Sequence, residues 1–252
     1  MNAKTITIAL VLLVILAGGA VMSSDRATAF LGIGTKPSER ADRISAGPAV
    51  ELKDLSEASG VARFGRLFVV GDSYSVSKSW RASLEKNLPG VEVVYSSRGG
   101  SSLADQVELV KERNRLTGWP LLIMDGGLTD RYPVDEIRAM VGAQQPQCDM
   151  WFYVEPVRRQ YDNAKAQKGR NRQHERLVSE LQSGFPDHLI EWISELSQEG
   201  DGSVQDAVDL ENMVVPRSLR KDKVHLNDKG YEILGTIVAR ELMSTRLANS
   251  CA

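Results

Sequence analysis

The chain has 252 residues, 42% of them hydrophobic and 25% charged, which suffices for one sizeable buried core and excludes a disordered or fibrous protein. A formal net charge of -2 gives no global attraction for nucleic acid or for an anionic membrane surface. Only Cys148 and Cys251 are present and no HExxH-like ligand cluster occurs, so a disulfide-dense scaffold and a four-cysteine zinc site are excluded, and neither a metal nor a cofactor is implied.

Residues 1–29 stand apart. Lys4 precedes an uncharged run over residues 5–24, and Ala27-Thr28-Ala29 then offers the small-x-small pattern of a signal-peptidase site. The segment reads as a signal peptide or, left uncleaved, as an N-terminal membrane anchor near the lower length limit for a span. Lys4 favours a cytoplasmic N-terminus in both cases, which places the body outside the cytoplasm, periplasmic or secreted. Residues 30–60 mix Gly, Pro, Ser and charges without a sustained period and read as a linker, leaving residues 61–252 as one domain. An exported chain can join its two cysteines, but Cys251 is the penultimate residue, so two independent thiols are expected.

Within the domain, strand and helix patterns alternate. Residues 67–70 form a short apolar run bounded by Gly71, the signature of a strand buried on both faces. Residues 75–88 place Val76, Trp80, Leu84 and Leu88 on one helical face, stopped by Pro89-Gly90. A strand over 91–95 and a helix through Leu103, Val107 and Val110 follow, then a strand over 120–124 and a helix over 134–141. Residues 150–154 make a fourth strand, the polar stretch 161–181 a long helix, and 188–196 either a fifth strand or a short helix. The chain closes on an amphipathic helix over 231–247, with Ile233, Leu234, Ile237, Val238 and Leu242 apolar. This order predicts an α/β protein, a three-layer α/β/α sandwich around a parallel sheet of about five strands. Ligands in such sheets bind beyond the carboxyl ends of the strands. Three of those ends carry Gly with Ser, Asp or Thr: Gly71-Asp72-Ser73, Gly99-Gly100-Ser101 and residues 126–130.

Gly71-Asp72-Ser73 alone reads as an ordinary strand-to-helix turn. A serine of ordinary pKa becomes a nucleophile only with a base, a group that orients the base, and donors for the oxyanion. Three histidines are available. His174 sits among Arg, Lys and Gln and reads as part of a solvated helix face; His188 follows Phe185-Pro186-Asp187 and reads as a surface or boundary residue. His225 has Asp222 three residues upstream, within reach of its imidazole if the segment curls into a turn.

Together these residues resemble the blocks of the SGNH (GDSL-type) esterase and lipase family, over about residues 66–247. Gly71-Asp72-Ser73 is similar to the block that carries the nucleophile, whose own N–H also faces the oxyanion. Gly100 resembles the second-block glycine, a further oxyanion donor, and Asp222-x-x-His225 resembles the last block, with His225 as base and Asp222 as its orienter. The third block departs from the family: Gly127-Leu128-Thr129-Asp130 puts Thr129 where an asparagine amide normally donates, and a frame beginning at Gly126 puts Leu128 there. Loss of one such donor typically costs roughly 100- to 1,000-fold in rate.

The resemblance implies a flavodoxin-like SGNH fold and a serine esterase that forms a covalent acyl-enzyme. Its catalytic residues would be Ser73, His225 and Asp222, its oxyanion donors Ser73, Gly100 and Thr129. The implied partner is a small ester or an acylated glycan, such as an O-acetylated carbohydrate. An O-acyltransferase acting on a cell-surface glycan, and a decayed binding or assembly module of the same fold, remain open alternatives. The stretch 157–176 is rich in Arg and Lys and reads as a solvated helix face ahead of an anion-attracting overhang. Trp80, Trp119, Trp151 and Trp192 are candidates to stack on sugar, although tryptophans at helix and strand positions more often belong to a core.

Overall fold

The computed structural model describes residues 59–125, 133–157, 160 and 163–247. The expected export segment 1–29, nearly all of the expected linker and Cys251 lie outside the described residues. Among those described, no helix is long and apolar enough to cross a membrane.

The described body begins with a 3-10 turn, Gly60–Phe64, whose Val61 is fully buried. Five parallel strands follow in the order β2-β1-β3-β4-β5: β1 Arg66–Gly71, β2 Glu92–Ser97, β3 Leu121–Met124, β4 Trp151–Val154 and β5 Leu189–Ile190. Seven α-helices alternate with or follow them: α1 Lys78–Lys86, α2 Leu103–Glu112, α3 Pro133–Gln144, α4 Ala164–Gly184, α5 Ile193–Ser197, α6 Val204–Glu211 and α7 Asp228–Ser244. The three-layer sandwich expected from the strand-helix alternation is therefore the observed architecture.

The near-continuous apolar character of the inner strands β1, β3 and β4 follows from burial on both faces. Leu67, Val69, Leu122, Met124, Phe152 and Val154 project into one core, against Trp80 and Leu84 of α1 and Leu234, Ile237 and Val238 of α7. The alternate residues Phe68, Val70, Leu121, Ile123, Trp151 and Tyr153 project into the other, against α2, α3 and Leu181 of α4. Helix starts are fixed by side chains that accept otherwise orphaned backbone N–H groups. Ser77 accepts from Trp80, Ser102 and Asp105 form a reciprocal capping box, and Asn163, Ser203 and Asn227 cap α4, α6 and α7. Helices α1 and α7 approach closely because Gly235 has no Cβ, which would lie 2.7 Å from the Cβ of Ser83.

Four sequence expectations change in detail. Helix α1 starts at Lys78, not 75, because residues 73–76 form a turn; Val76 is consequently outside the helical stripe and exposed. The ambiguous stretch 188–196 holds both a short strand, β5, and a short helix, α5. Helix α6 was not anticipated. Its buried positions are Asp206 and Asp209 while Val204 and Val208 are exposed, the inverse of the apolar stripe by which helices are recognised. Lastly, Cys148 is disulfide-bonded, not the independent thiol expected from the sequence.

In this strand order the crossover direction reverses between β1 and β3, and the carboxyl end of β1 opens at that switch point. Ser73 lies two residues beyond the end of β1.

Candidate active site

The end of β1 is held so tightly that its last residue must be glycine. A Cβ on Gly71 would lie 2.3 Å from the carbonyl oxygen of Met124 and 2.7 Å from Oγ of Ser75. Its own carbonyl accepts hydrogen bonds from the N–H of Arg98, at 3.1 Å, and from Oγ of Ser101, at 3.4 Å, which ties the turn after β2 to the turn after β1. Asp72 is completely buried and does not face a ligand. Its Oδ1 accepts from the N–H of Tyr74 at 2.9 Å, and its carbonyl accepts from Oγ of Ser75 at 2.8 Å. These local bonds stiffen the turn and leave Ser73 half-buried at its apex.

His225 reaches that apex from a loop just before α7. The loop is closed by an antiparallel bridge between Arg220 and Leu226 and by the N–H of Lys221, which donates to the carbonyl of His225 at 2.9 Å. Within it Asp222 makes the turn anticipated from its spacing: Oδ1 accepts from the N–H groups of Val224 and His225, both at 2.7 Å. The same carboxylate receives Nδ1 of His225, 3.0 Å from Oδ2 and 3.2 Å from Oδ1, while Nε2 of His225 lies 3.1 Å from Oγ of Ser73. Partial burial works to raise the Asp222 pKa, but the two backbone N–H donors and then the imidazole outweigh it and hold the group down to about 2. An ionised carboxylate only accepts, so Nδ1 carries the proton and Nε2 presents its lone pair to the serine hydroxyl.

The turn after β2 brings Gly100 to the same edge. Its φ of +76° is the reason for glycine there, since a Cβ would meet nothing. The backbone N–H groups of Ser73 and Gly100 have no hydrogen-bond partner among the described residues, as donors held for a ligand oxygen would not. Thr129 and its neighbours Gly126, Gly127 and Leu128 lie outside the described residues.

Tyr74 joins the two loops and was missed in the sequence. Its hydroxyl donates to the carbonyl of Val224, and its ring stacks on His225 with centroids 5.8 Å apart and planes at 28°. An aromatic residue next to the serine, on a turn where it has no helical stripe to join, was the available signal. Behind the ring, burial and then the charges of Asp72 and Asp222 push the Tyr231 hydroxyl above its usual range, so it stays neutral.

The other two histidines lie elsewhere and are more enclosed than expected. His174 turns inward from α4, with Nε2 2.8 Å from the carbonyl oxygen of Pro156 and 3.5 Å from Oε1 of the buried Glu155. His188 is buried, stacked on Trp151 at 4.0 Å, with Nδ1 2.8 Å from the Trp151 carbonyl and Nε2 3.3 Å from Asp149. Both were read as surface or boundary residues because polar neighbours in sequence say little about which side of a helix or strand end faces the core. Trp80, Trp151 and Trp192 are core residues, so they do not stack on a ligand. Trp119 is half-buried, with the guanidinium of Arg66 5.4 Å from its ring. On α4, Lys165, Lys168, Arg172 and Arg176 are exposed, as a solvated face requires; Arg158 and Arg159 lie outside the described residues.

No protein-family model and no curated protein matches this chain. Solved structures do. A protein assigned to the lipolytic G-D-S-L family of Desulfitobacterium hafniense DCB-2 superposes with a TM-score of 0.52 at 16% identity, over 70% of this chain and 99% of that one. The C-terminal catalytic domain of peptidoglycan O-acetyltransferase A of Streptococcus pneumoniae, carrying a methylsulfonyl adduct, gives 0.47 at 16% identity, over 73% of this chain and 93% of that one. An acetyl xylan esterase gives 0.45 at 16% identity, over 71% and 98%. The first of these similarities shows that the chain has the SGNH (GDSL-type) hydrolase fold.

Proposed function

We propose that the protein is an exported serine esterase that cleaves carboxylic esters through Ser73, His225 and Asp222. The observation that carries this reading is the unbroken chain of contacts from Oγ of Ser73 to Nε2 of His225 at 3.1 Å, and from Nδ1 to Asp222 at 3.0 Å, at the switch point of the sheet. Such a chain is what a hydroxyl needs to become a nucleophile at neutral pH.

In the proposed reaction Oγ of Ser73 attacks the ester carbonyl carbon as its proton passes to Nε2 of His225. Asp222, ionised throughout the neutral range, stabilises the imidazolium that forms. The negative charge that develops on the carbonyl oxygen is received by the N–H groups of Ser73 and Gly100. Collapse of the tetrahedral intermediate expels the alkoxide, which takes the proton from His225, and leaves an acyl ester on Ser73. Water, deprotonated by His225, then releases the acid and restores the serine. A sugar hydroxyl in place of that water would make the same residues an O-acyltransferase. The export segment 1–29 supports an extracytoplasmic address for this chemistry.

A serine-reactive fluorophosphonate tests the reading. Labelling of wild type, abolished in Ser73→Ala and accompanied by a fall in aryl acetate hydrolysis of at least about 1,000-fold, is the expected result. Absence of labelling in correctly folded wild type would favour the decayed binding module instead.

A further inference from the structure

A second depression lies beside the base loop, between the start of α4 and helix α6, with a volume of about 210 Å³. That is below the roughly 300–1,000 Å³ of pockets for drug-sized ligands and suits a single small ring. Its polar wall consists of Gln160, Asn163, Gln167, Gln205, Asp209 and Asn212, five carboxamides and one carboxylate. Val208 and Val214 supply a small apolar patch.

The charge balance narrows what fits. Asp209 is buried and neutralised by Arg220, whose guanidinium Nη2 lies 2.5 Å from Oδ2. Among the described residues the wall therefore carries no net charge to recruit a phosphate or a carboxylate, and too little apolar surface to hold an acyl chain. Carboxamides both donate and accept in one plane, which matches adjacent hydroxyl groups. Part of this capacity is spent within the wall: Oδ1 of Asn163 caps Ala166, and Nε2 of Gln205 donates to Asp209 at 3.3 Å. The amide N–H groups of Asn163 and Oε1 of Gln205 have no partner among the described residues.

The wall is also joined to the loop that carries the candidate base. Nη1 of Arg220 donates to Oε1 of Gln160 at 2.7 Å, the N–H of Gln160 donates to the carbonyl of Lys223 at 3.0 Å, and Arg220 itself opens the loop that holds Asp222 and His225.

We propose that this amide-lined pocket is a saccharide subsite, which receives a sugar ring of the alcohol part of the ester. The proposal rests on the esterase reading for its role in turnover, but not for binding itself. Its test uses the full exported protein with xylotetraose and chitotetraose, measured by titration calorimetry, and with the acetylated forms of both as substrates. Two variants remove one ligand group each: Gln205→Ala, and Asn163→Asp, which keeps the helix cap and loses the amide donor. Lys168→Ala, on the exposed side of α4, is the control.

Wild type is expected to bind at least one tetrasaccharide. Each pocket variant should weaken binding roughly three- to tenfold, the equivalent of one net hydrogen bond, with Lys168→Ala at wild-type affinity. With the acetylated glycan the loss should appear in KM and exceed any change with p-nitrophenyl acetate. Wild type that binds neither tetrasaccharide, or pocket variants that bind as wild type does, overturns the subsite. If fluorophosphonate fails to label Ser73 while sugar binding responds to the variants, the esterase reading falls and the subsite stands.

Discussion

Three histidine-carboxylate pairs sit on this fold, the third being His188 with Asp149, and the pairs at His225 and His174 differ in what else the imidazole meets. His225 has Asp222 on Nδ1 and Ser73 on Nε2, and its side chain is 34% exposed. His174 has Glu155 and the carbonyl oxygen of Pro156 on the same nitrogen, and its side chain is only 9% exposed. Composition does not distinguish them. A carboxylate orients either ring, but only the first is oriented toward a hydroxyl at a sheet edge where a ligand can arrive. A buried imidazole whose nitrogen is committed to a backbone carbonyl holds α4 against the end of β4; an imidazole with one face in solvent can pass a proton.

The strongest way to break this contrast is to remove each ring in turn. His225→Ala should lower aryl ester hydrolysis by at least about 1,000-fold and leave thermal unfolding near that of wild type. His174→Ala should do the reverse. It strands the buried Pro156 carbonyl and takes one partner from Glu155, which keeps the N–H groups of Trp192 and Ile193, at a cost of about 1–3 kcal/mol, while kcat stays within a factor of a few of wild type. Hydrolysis by both variants and unfolding by calorimetry decide the matter. Activity lost in His174→Ala at intact stability would erase the distinction.

Tyr74 sharpens the contrast on the side of His225. It is a positioning residue, since it touches the imidazole and the Val224 carbonyl. Tyr74→Phe keeps the ring stack and loses the bond that ties the base loop to the serine turn. A kcat reduced roughly three- to tenfold with little change in KM is expected, since one net hydrogen bond is involved and the alignment of Nε2 depends on it. A change in KM alone would place Tyr74 in contact with substrate instead.

The sequence made the sheet legible because its inner strands β1, β3 and β4 are buried on both faces and so appear as unbroken apolar runs, each followed by a turn residue. Strand ends that converge in a parallel sheet drew attention to Ser73 and Gly100, and an aspartate three residues before a histidine to Asp222 and His225, but it was the resemblance to the SGNH (GDSL-type) blocks that joined the four into one candidate site. Helix α6 was invisible because it buries Asp206 and Asp209, against Ser218 and Arg220, partners that are distant in sequence. His174, His188 and Tyr74 were misplaced or overlooked for a related reason. Their roles depend on which backbone carbonyl, Pro156, Trp151 or Val224, a fold brings near them, and a carbonyl leaves no mark on the sequence.

The smallest effect expected concerns the carboxylate of the active pair. The folded protein holds Asp222 at about 2, below its ordinary value of 3.8, so the group binds protons more weakly folded than unfolded. Its contribution to stability is therefore complete above pH 3.8 and disappears as pH falls through about 2. The side chain is 49% exposed, and solvent screening keeps that contribution below about 1 kcal/mol. Asp222→Asn removes the titration. Urea unfolding of wild type and variant should then show a stability gap that is constant from neutral pH down to about 4 and narrows below it. Parallel curves through the acid range would mean that the two backbone donors and the imidazole do not hold the carboxylate as the geometry requires. The tautomer argument for Nε2 of His225 would lose its footing with them.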